Sequence, residues 1–217
     1  NQSGADAAMQ KFVEEYPTST KRNSAYKDVA DYYFENARYP NAKRWYERVD
    51  LDKLNWRELD RYNFNMGYVH LKTRQPDQAK VYFDRVIHSP EFGEQAKYYE
   101  GFIAYERDDY EEATQFFNQV EAEGGNKEDL TYFKADLNFK QGNFEEAIKL
   151  GKEQLPSATP QEASEINKII GESYFNLGQF DEALPYLKKY RGKRGRWTNN
   201  DYYQLGYAYY KQGDYET

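Results

Sequence analysis

The stretch Ile170-Gly171-Glu172-Ser173-Tyr174-Phe175-Asn176-Leu177-Gly178-Gln179-Phe180-Asp181-Glu182-Ala183 decides the reading of this chain. It reads as the end of one helix, a tight turn at Gly178 and the start of a second helix. Variants of it recur from one end of the sequence to the other. Take Ala183, the small residue of the second helix, as an anchor. Ala42, Ala79, Ala113 and Ala147 stand in the same relation to a preceding turn, and successive anchors are 37, 34, 34 and 36 residues apart.

Other positions keep step with the anchors. Twelve residues before each stands Ala30, Gly67, Gly101, Ala135 or Gly171, always small. Nine before stands Tyr33, His70, Ala104, Asn138 or Tyr174, and three before stands Tyr39, Pro76, Tyr110, Phe144 or Phe180. Four after come Tyr46, Phe83, Phe117, Gly151 and Leu187, mostly large. A period near 34 with matched small and aromatic positions marks stacked helix-turn-helix units, each needing its neighbours to bury its apolar face.

The pattern resembles the tetratricopeptide repeat family. Its best units are Ile170, Gly171, Tyr174, Phe180 and Ala183, and later Leu205, Gly206, Tyr209, Gly213 and Tyr215. The resemblance implies an all-α fold, a right-handed α-solenoid, whose concave face holds partner peptides. Where the family favours Trp at the fourth position of the first helix, this chain has Tyr26, Asn63, Lys97, Thr131, Asn167 and Tyr202. Gly151 replaces a large residue, so the fourth unit is expected to be the most weakly packed.

The 217 residues are expected to form one solenoid fragment, 1–217, with a half repeat at 8–22, repeats at 23–55, 60–93, 94–127, 128–163 and 164–198, and a partial repeat at 199–217. Pro17 closes the half repeat, Pro40 and Pro76 fall in first helical turns where a missing N–H costs little, and Pro156 to Pro160 is a breaker. The link from Asp50 to Trp56 is three residues longer than the others and is expected to bulge. Pro185 is expected to bend its helix mildly. With half units at both ends the solenoid lacks caps, and both ends are expected to continue.

Composition narrows the function. The chain is 39% hydrophobic and 31% charged, as a globular chain should be, and aromatics make up 18%, with 23 Tyr and 13 Phe. The net charge of −7 argues against nucleic acid as the main partner. The absence of cysteine excludes disulfides and thiol chemistry. No apolar run approaches a membrane span. The wording from Phe12 to Ser19 is similar to repeats of bacterial cell-envelope proteins, outer-membrane-assembly lipoproteins and Tol-Pal-associated factors, which implies the periplasm or an outer-membrane association.

On each first helix, unit positions 4, 8 and 11 form the packing stripe. Positions 5, 9 and 12 form a second stripe about a third of a turn away, which the family resemblance places in the groove. It carries more rings than a solvated face requires. The candidate partner-binding residues are Phe64, Tyr68, Tyr98, Phe102, Tyr105, Tyr132, Phe139, Phe175, Tyr203 and Tyr207, about half of them expected to serve packing instead. Tyr68, Tyr98, Phe102 and Tyr105 are expected to form one surface. Some family members grip a terminal carboxylate with Lys and Asn at positions 5 and 9; here Lys27 is followed by Asp31 and Lys168 by Glu172, and the acids would repel such a ligand.

The other features point to structure. Lys188 to Arg196 holds six cations and no acid, and in so acidic a chain reads as a solvated loop rather than an anion site. His70 falls on a packing position and His88 near a helix end. No His, Cys or carboxylate set has metal-ligand spacing, Gly124-Gly125 lacks the Lys-Ser/Thr of a phosphate loop, and no nucleophile-base set stands out. The reading is a scaffold for a protein or peptide segment, with no enzyme activity, cofactor or metal; stacking of sugars on the same rings, as in glycan or peptidoglycan recognition, is the alternative.

Overall fold

The computed structural model describes residues 2–125, 127–193 and 195–213. Tyr215 of the last repeat signature, Arg194 of the basic stretch and the opening of the sixth unit's second helix lie outside them. Among the described residues the fold is all-α, and the chain falls into two compact units, Asn1–Ile103 and Ala104–Thr217.

The first unit contains α1 (Gln2–Glu15), α2 (Arg22–Glu35), α3 (Tyr39–Tyr46), a 3-10 turn (Leu51–Lys53), α4 (Trp56–Lys72), α5 (Pro76–Phe83) and most of α6 (Gly93–Glu106). The second contains the last turn of α6, then α7 (Tyr110–Ala122), α8 (Lys127–Lys140), α9 (Phe144–Gln154), α10 (Pro160–Asn176), α11 (Phe180–Leu187) and α12 (Asn199–Gln212). Within each unit a helix packs on the one before and the one after, as α2 does on α3, α4 on α5, α8 on α9 and α10 on α11. This is the stacked helix-turn-helix arrangement the 34-residue period demands.

One backbone device makes every turn between paired helices. Ala37, Arg74, Asp108, Gly142 and Gly178 each adopt a left-handed conformation, as does Gly213 after α12. The next N–H then reaches back five residues, from Arg38 to the Tyr33 carbonyl, Gln75 to His70, Asp109 to Ala104, Asn143 to Asn138 and Gln179 to Tyr174, at 2.8–3.0 Å. These bonds satisfy carbonyls that the helix end would otherwise leave bare. Glycine reaches this region without strain, so Gly142, Gly178 and Gly213 announce their turns in the sequence, whereas Ala37 and Arg74 do not.

The small positions exist because large side chains close on them. All five anchor alanines are fully buried. A Cβ on Gly67 would lie 2.7 Å from the Phe83 ring, and one on Gly171 2.8 Å from Leu187. Gly151 corrects the expectation of a weak fourth unit. A Cβ there would meet the Ile170 side chain at 2.8 Å, so the volume a large residue would have filled is taken by Ile170, with Ile166 alongside.

Two first helices start one turn earlier than their repeats suggested. Asn55 accepts from the N–H groups of Arg57 and Glu58 while Glu58 accepts from the Asn55 N–H, and Thr159 and Glu162 make the same reciprocal pair. These capping boxes recruit Trp56 to Leu59 into α4 and Pro160 to Ala163 into α10, with Pro160 in the tolerated first position. The long link before α4 coils rather than bulges: Asn23 donates to the Asp50 carbonyl and accepts from the Asp50 N–H, and Leu51 and Leu54 pack on the first core. Pro185 lies inside α11, which continues to Leu187.

Candidate functional site

The second-stripe rings divide into corners that join neighbouring repeats and rings that stand clear of them. In the first unit Phe34, at position 12 of α2, Tyr39, at the start of α3, and Tyr68, at position 9 of α4, meet pairwise with centroids 5.6–6.1 Å apart, all edge-on. Edge-to-face pairs set the positive rim of one ring against the negative face of another and add about 0.5–1.5 kcal/mol each beyond area burial. Tyr99 closes on Tyr68 from the other side at 5.3 Å, and Lys72 Nζ stands 5.0 Å from the Tyr68 ring. Tyr68 thus remains half-buried but is held by rings on several sides.

Phe64 is different. It is buried in the second core of this unit, stacked on Phe92 at 4.9 Å and packed on Phe83 and Tyr99. Position 5 of α4 faces inward because Phe92, in the link before α6, folds over it, so Phe64 leaves the candidate set. Tyr98 and Phe102 are half-buried on α6, Tyr98 edge-on to Tyr99.

The second unit repeats the aromatic corner once. Phe175, Phe180 and Tyr207 meet at 5.3–5.7 Å, again all edge-on. An earlier corner in this unit uses charge. Tyr105 Oη donates to Asp136 Oδ2 at 2.6 Å, and Lys140 Nζ sits 2.9 Å from the same oxygen and 4.3 Å from the Tyr105 ring. Burial, followed by the bond to Asp136 and its charge, pushes the Tyr105 hydroxyl well above the usual phenol range. Tyr132 is half-buried beside Phe133, its hydroxyl pushed up to about 12 chiefly by burial. Phe139 is half-buried against Phe144. Tyr203 is 61% exposed, its ring stacked on Tyr207 at 5.8 Å.

A buried polar cluster lies beside these rings in the second unit. Lys168 Nζ is 2.8 Å from Asp201 Oδ1 and 3.9 Å from Glu172, and 4.8 Å from the Tyr190 ring. Burial raises the Glu172 carboxyl above its ordinary value despite the lysine. Burial works the same way on Asp201, but the bonds from Lys168 and from the Thr198 N–H and hydroxyl prevail and hold it below. The acids do neutralise the lysines, as position 5 and 9 spacing suggested for Lys168. Lys27, however, pairs with Glu58 at 3.6 Å and Asp28 at 3.8 Å, while Asp31 accepts from the Tyr46 hydroxyl.

Sequence reasoning missed the partners that make these corners. Tyr39 and Phe180 were visible as repeat markers, and their fixed distance from position 12 was the available signal for a ring contact. Tyr99 and Asp201 had no such periodic signal. The basic stretch forms an inter-repeat link: Tyr190 is buried, the Arg191 N–H donates to Ser164 Oγ at 2.9 Å, and Lys193 bridges to Arg196. His70 is buried, stacked on Tyr82, with Nδ1 2.8 Å from Gln75 Oε1, and burial holds its imidazole below the ordinary value. Among the described residues no cluster could hold a metal ion, and no helix is long and apolar enough to cross a membrane.

The tetratricopeptide repeat family matches residues 64–128 and, in a second match, residues 169–190. These two stretches carry tetratricopeptide repeats. Solved structures share this fold. One described as MamA AMB-1 is 21% identical with a TM-score of 0.67 over 84% of this chain and 97% of its own. Another described as MamA protein is 18% identical with a TM-score of 0.63, covering 92% and 98%. A tetratricopeptide repeat protein from Parabacteroides merdae ATCC 43184 is 14% identical with a TM-score of 0.61, covering 98% and 81%. At these identities the likeness is one of fold. No curated protein matches the sequence. The tetratricopeptide repeats support a protein–protein interaction scaffold.

Proposed function

We propose that the chain holds a protein or peptide segment against the second-stripe rings of its repeats. Tyr203 carries this reading: a large ring, 61% exposed, stacked on Tyr207 and so presented at little entropic cost. In the second unit Tyr132, Phe139, Phe175 and Tyr207 lie on the same stripe, with Tyr105 preceding them; in the first unit Tyr68, Tyr98 and Phe102 do so. The chain's net charge of −7 favours a segment with apolar side chains and some positive charge. Periplasmic or outer-membrane association is the compartment we favour, on the wording from Phe12 to Ser19.

The test is selection of displayed peptides on the intact chain, followed by binding to the parent and to the variant Tyr203→Ala with Tyr207→Ala. Selected peptides should carry aromatic or aliphatic residues with Lys or Arg, and the variant should bind them on the order of 30-fold more weakly, the cost of losing about 2 kcal/mol at an aromatic anchor. Equal binding to parent and variant defeats the reading. Peptide-free chain that instead binds peptidoglycan fragments, and loses them in the same variant, moves the function to glycan recognition.

A further inference from the structure

A cavity of about 670 Å³ opens in the first unit between two inter-repeat links, the one after α1 and the one after α3. Each link is followed by a complete first helix, α2 or α4. Their separation is fixed by one side chain. Asn23 of α2 donates to the Asp50 carbonyl at 3.0 Å and accepts from the Asp50 N–H at 2.7 Å, which clamps the start of α2 to the second link. None of the described lining residues belongs to the second stripe, so the cavity is separate from the proposed peptide surface.

Its charge, and the way that charge is held, point to a ligand. Among the described residues Arg22, Arg48 and Lys53 line the cavity with a single acid, Asp50, which pairs with Lys53 at 3.0 Å. Neither arginine has an ion-pair partner among the described residues, in a chain with 37 acids against 30 Lys and Arg. Each is held instead over a buried ring, Arg22 5.5 Å from the Tyr26 centroid and Arg48 4.6 Å from that of Trp45. The two rings lie 6.0 Å apart, so one ring pair brings two guanidinium groups to the same cavity. Arg22 is fixed further by donating from Nε to Tyr26 Oη at 2.8 Å and from Nη1 to the Pro17 carbonyl at 3.0 Å, which leaves Nη2 for a ligand. A cation ordered in advance saves part of the cost of binding, and its planar fork matches paired phosphate oxygens. Thr18, Ser19 and Thr20 add hydroxyls to the wall, and α2 starts here with no acid in its first turn, so the positive end of the helix adds to the field. We propose that this cavity binds a phosphate monoester. Three cations and one acid leave the lining two charges positive, which a monoester of roughly 1.5–2 negative charges at neutral pH balances better than a carboxylate does. The volume lies within the roughly 300–1,000 Å³ of small-molecule sites and leaves room for a polar remainder against the hydroxyls. The net charge of −7 disfavours a polyanion such as nucleic acid.

The test is calorimetric titration of the 217-residue chain with glycerol phosphate, inorganic phosphate, acetate and glycerol, beside flotation with phosphatidylcholine vesicles with and without phosphatidic acid. Glycerol phosphate should bind more tightly than inorganic phosphate, and acetate and glycerol should not bind. Arg22→Gln and Arg48→Gln should each weaken binding about tenfold or more, the loss of charge-assisted hydrogen bonds. Arg57→Gln, which removes the same charge at an exposed arginine outside the cavity, should leave it unchanged. Melts verify that the variants stay folded, and Arg48, which is exposed, decides the matter if Arg22→Gln unfolds. Binding confined to vesicles with phosphatidic acid, and lost in the same variants, assigns the phosphate to a lipid headgroup rather than a soluble ester. Absence of binding in both arms, acetate that binds as tightly as phosphate, undiminished binding in folded Arg48→Gln, or an equal loss in Arg57→Gln overturns the proposal.

Discussion

In the first unit the chain turns between paired helices at Ala37 and Arg74; in the second it turns at Asp108, Gly142 and Gly178. All five reach the same left-handed conformation and make the same five-residue back bond. The units differ again where repeats meet. In the first, Tyr68 joins Phe34 and Tyr39 in a ring corner; in the second, only Tyr207 does the same, with Phe175 and Phe180, while Asp136 takes the equivalent place beside Tyr105 and Glu172 takes it after Phe139 and Phe144, among the described residues. The frame therefore fixes backbone geometry and side-chain volume, and leaves open whether a corner is filled by rings or by a hydroxyl-carboxylate bond.

Position 5 offers the largest test of that comparison. Phe64 belongs to the core of the first unit, and Tyr203 stands exposed in the second. Phe64→Ala should cost about 3–5 kcal/mol in denaturant unfolding, as expected for a buried ring, and Tyr203→Ala should change stability by less than about 0.5 kcal/mol. Comparable losses would mean that position 5 has one role in both units.

The turns come next in size. Gly178→Ala forces a Cβ into the left-handed region and should destabilise by about 1–2 kcal/mol. Arg74→Gly relieves the same strain in the first unit but loosens the unfolded chain, and should leave a net gain of up to about 1 kcal/mol. Thermal melts read both, and a loss on Arg74→Gly would show that its side chain is worth more than the strain.

The smallest effects are electrostatic and belong to the second unit. Asp201 is held below its ordinary value, so the stability it lends is present above about pH 4 and lost as pH falls through its folded value. The melting difference between parent and Asp201→Asn should shrink accordingly in acid. Glu172 is raised, so its contribution is present below about pH 4.3 and lost as pH rises through its folded value. The melting temperature of Glu172→Gln relative to parent should thus improve as pH rises, and a pH-independent difference would remove burial as the cause.

Most of the fold was legible because repeats write packing in residue size. The anchor alanines, Gly67 and Gly171 had to be small for a facing side chain to fit, and the sequence shows that directly. Helix starts were less legible, since α4 and α10 are set by side-chain bonds at Asn55 and Thr159 that carry no periodic signal. The candidate site was legible as a stripe but not ring by ring. Phe64 and Tyr203 share a repeat position, and the packing of Phe92, Phe83 and Tyr99 on Phe64 separates a core ring from a presented one.

The central claim, that each small residue of a first helix is a socket for the second helix of its own repeat, is tested most directly by one pair of melts. Gly171 and Gly206 occupy the same repeat position in α10 and α12, one filled by Leu187 and the other open among the described residues. Gly171→Ala should lower the melting temperature, because its Cβ meets Leu187 at 2.8 Å. Gly206→Ala should raise it, by the roughly 0.5–1 kcal/mol that alanine gains over glycine in a helix. Shifts of the same sign in both variants would contradict the account.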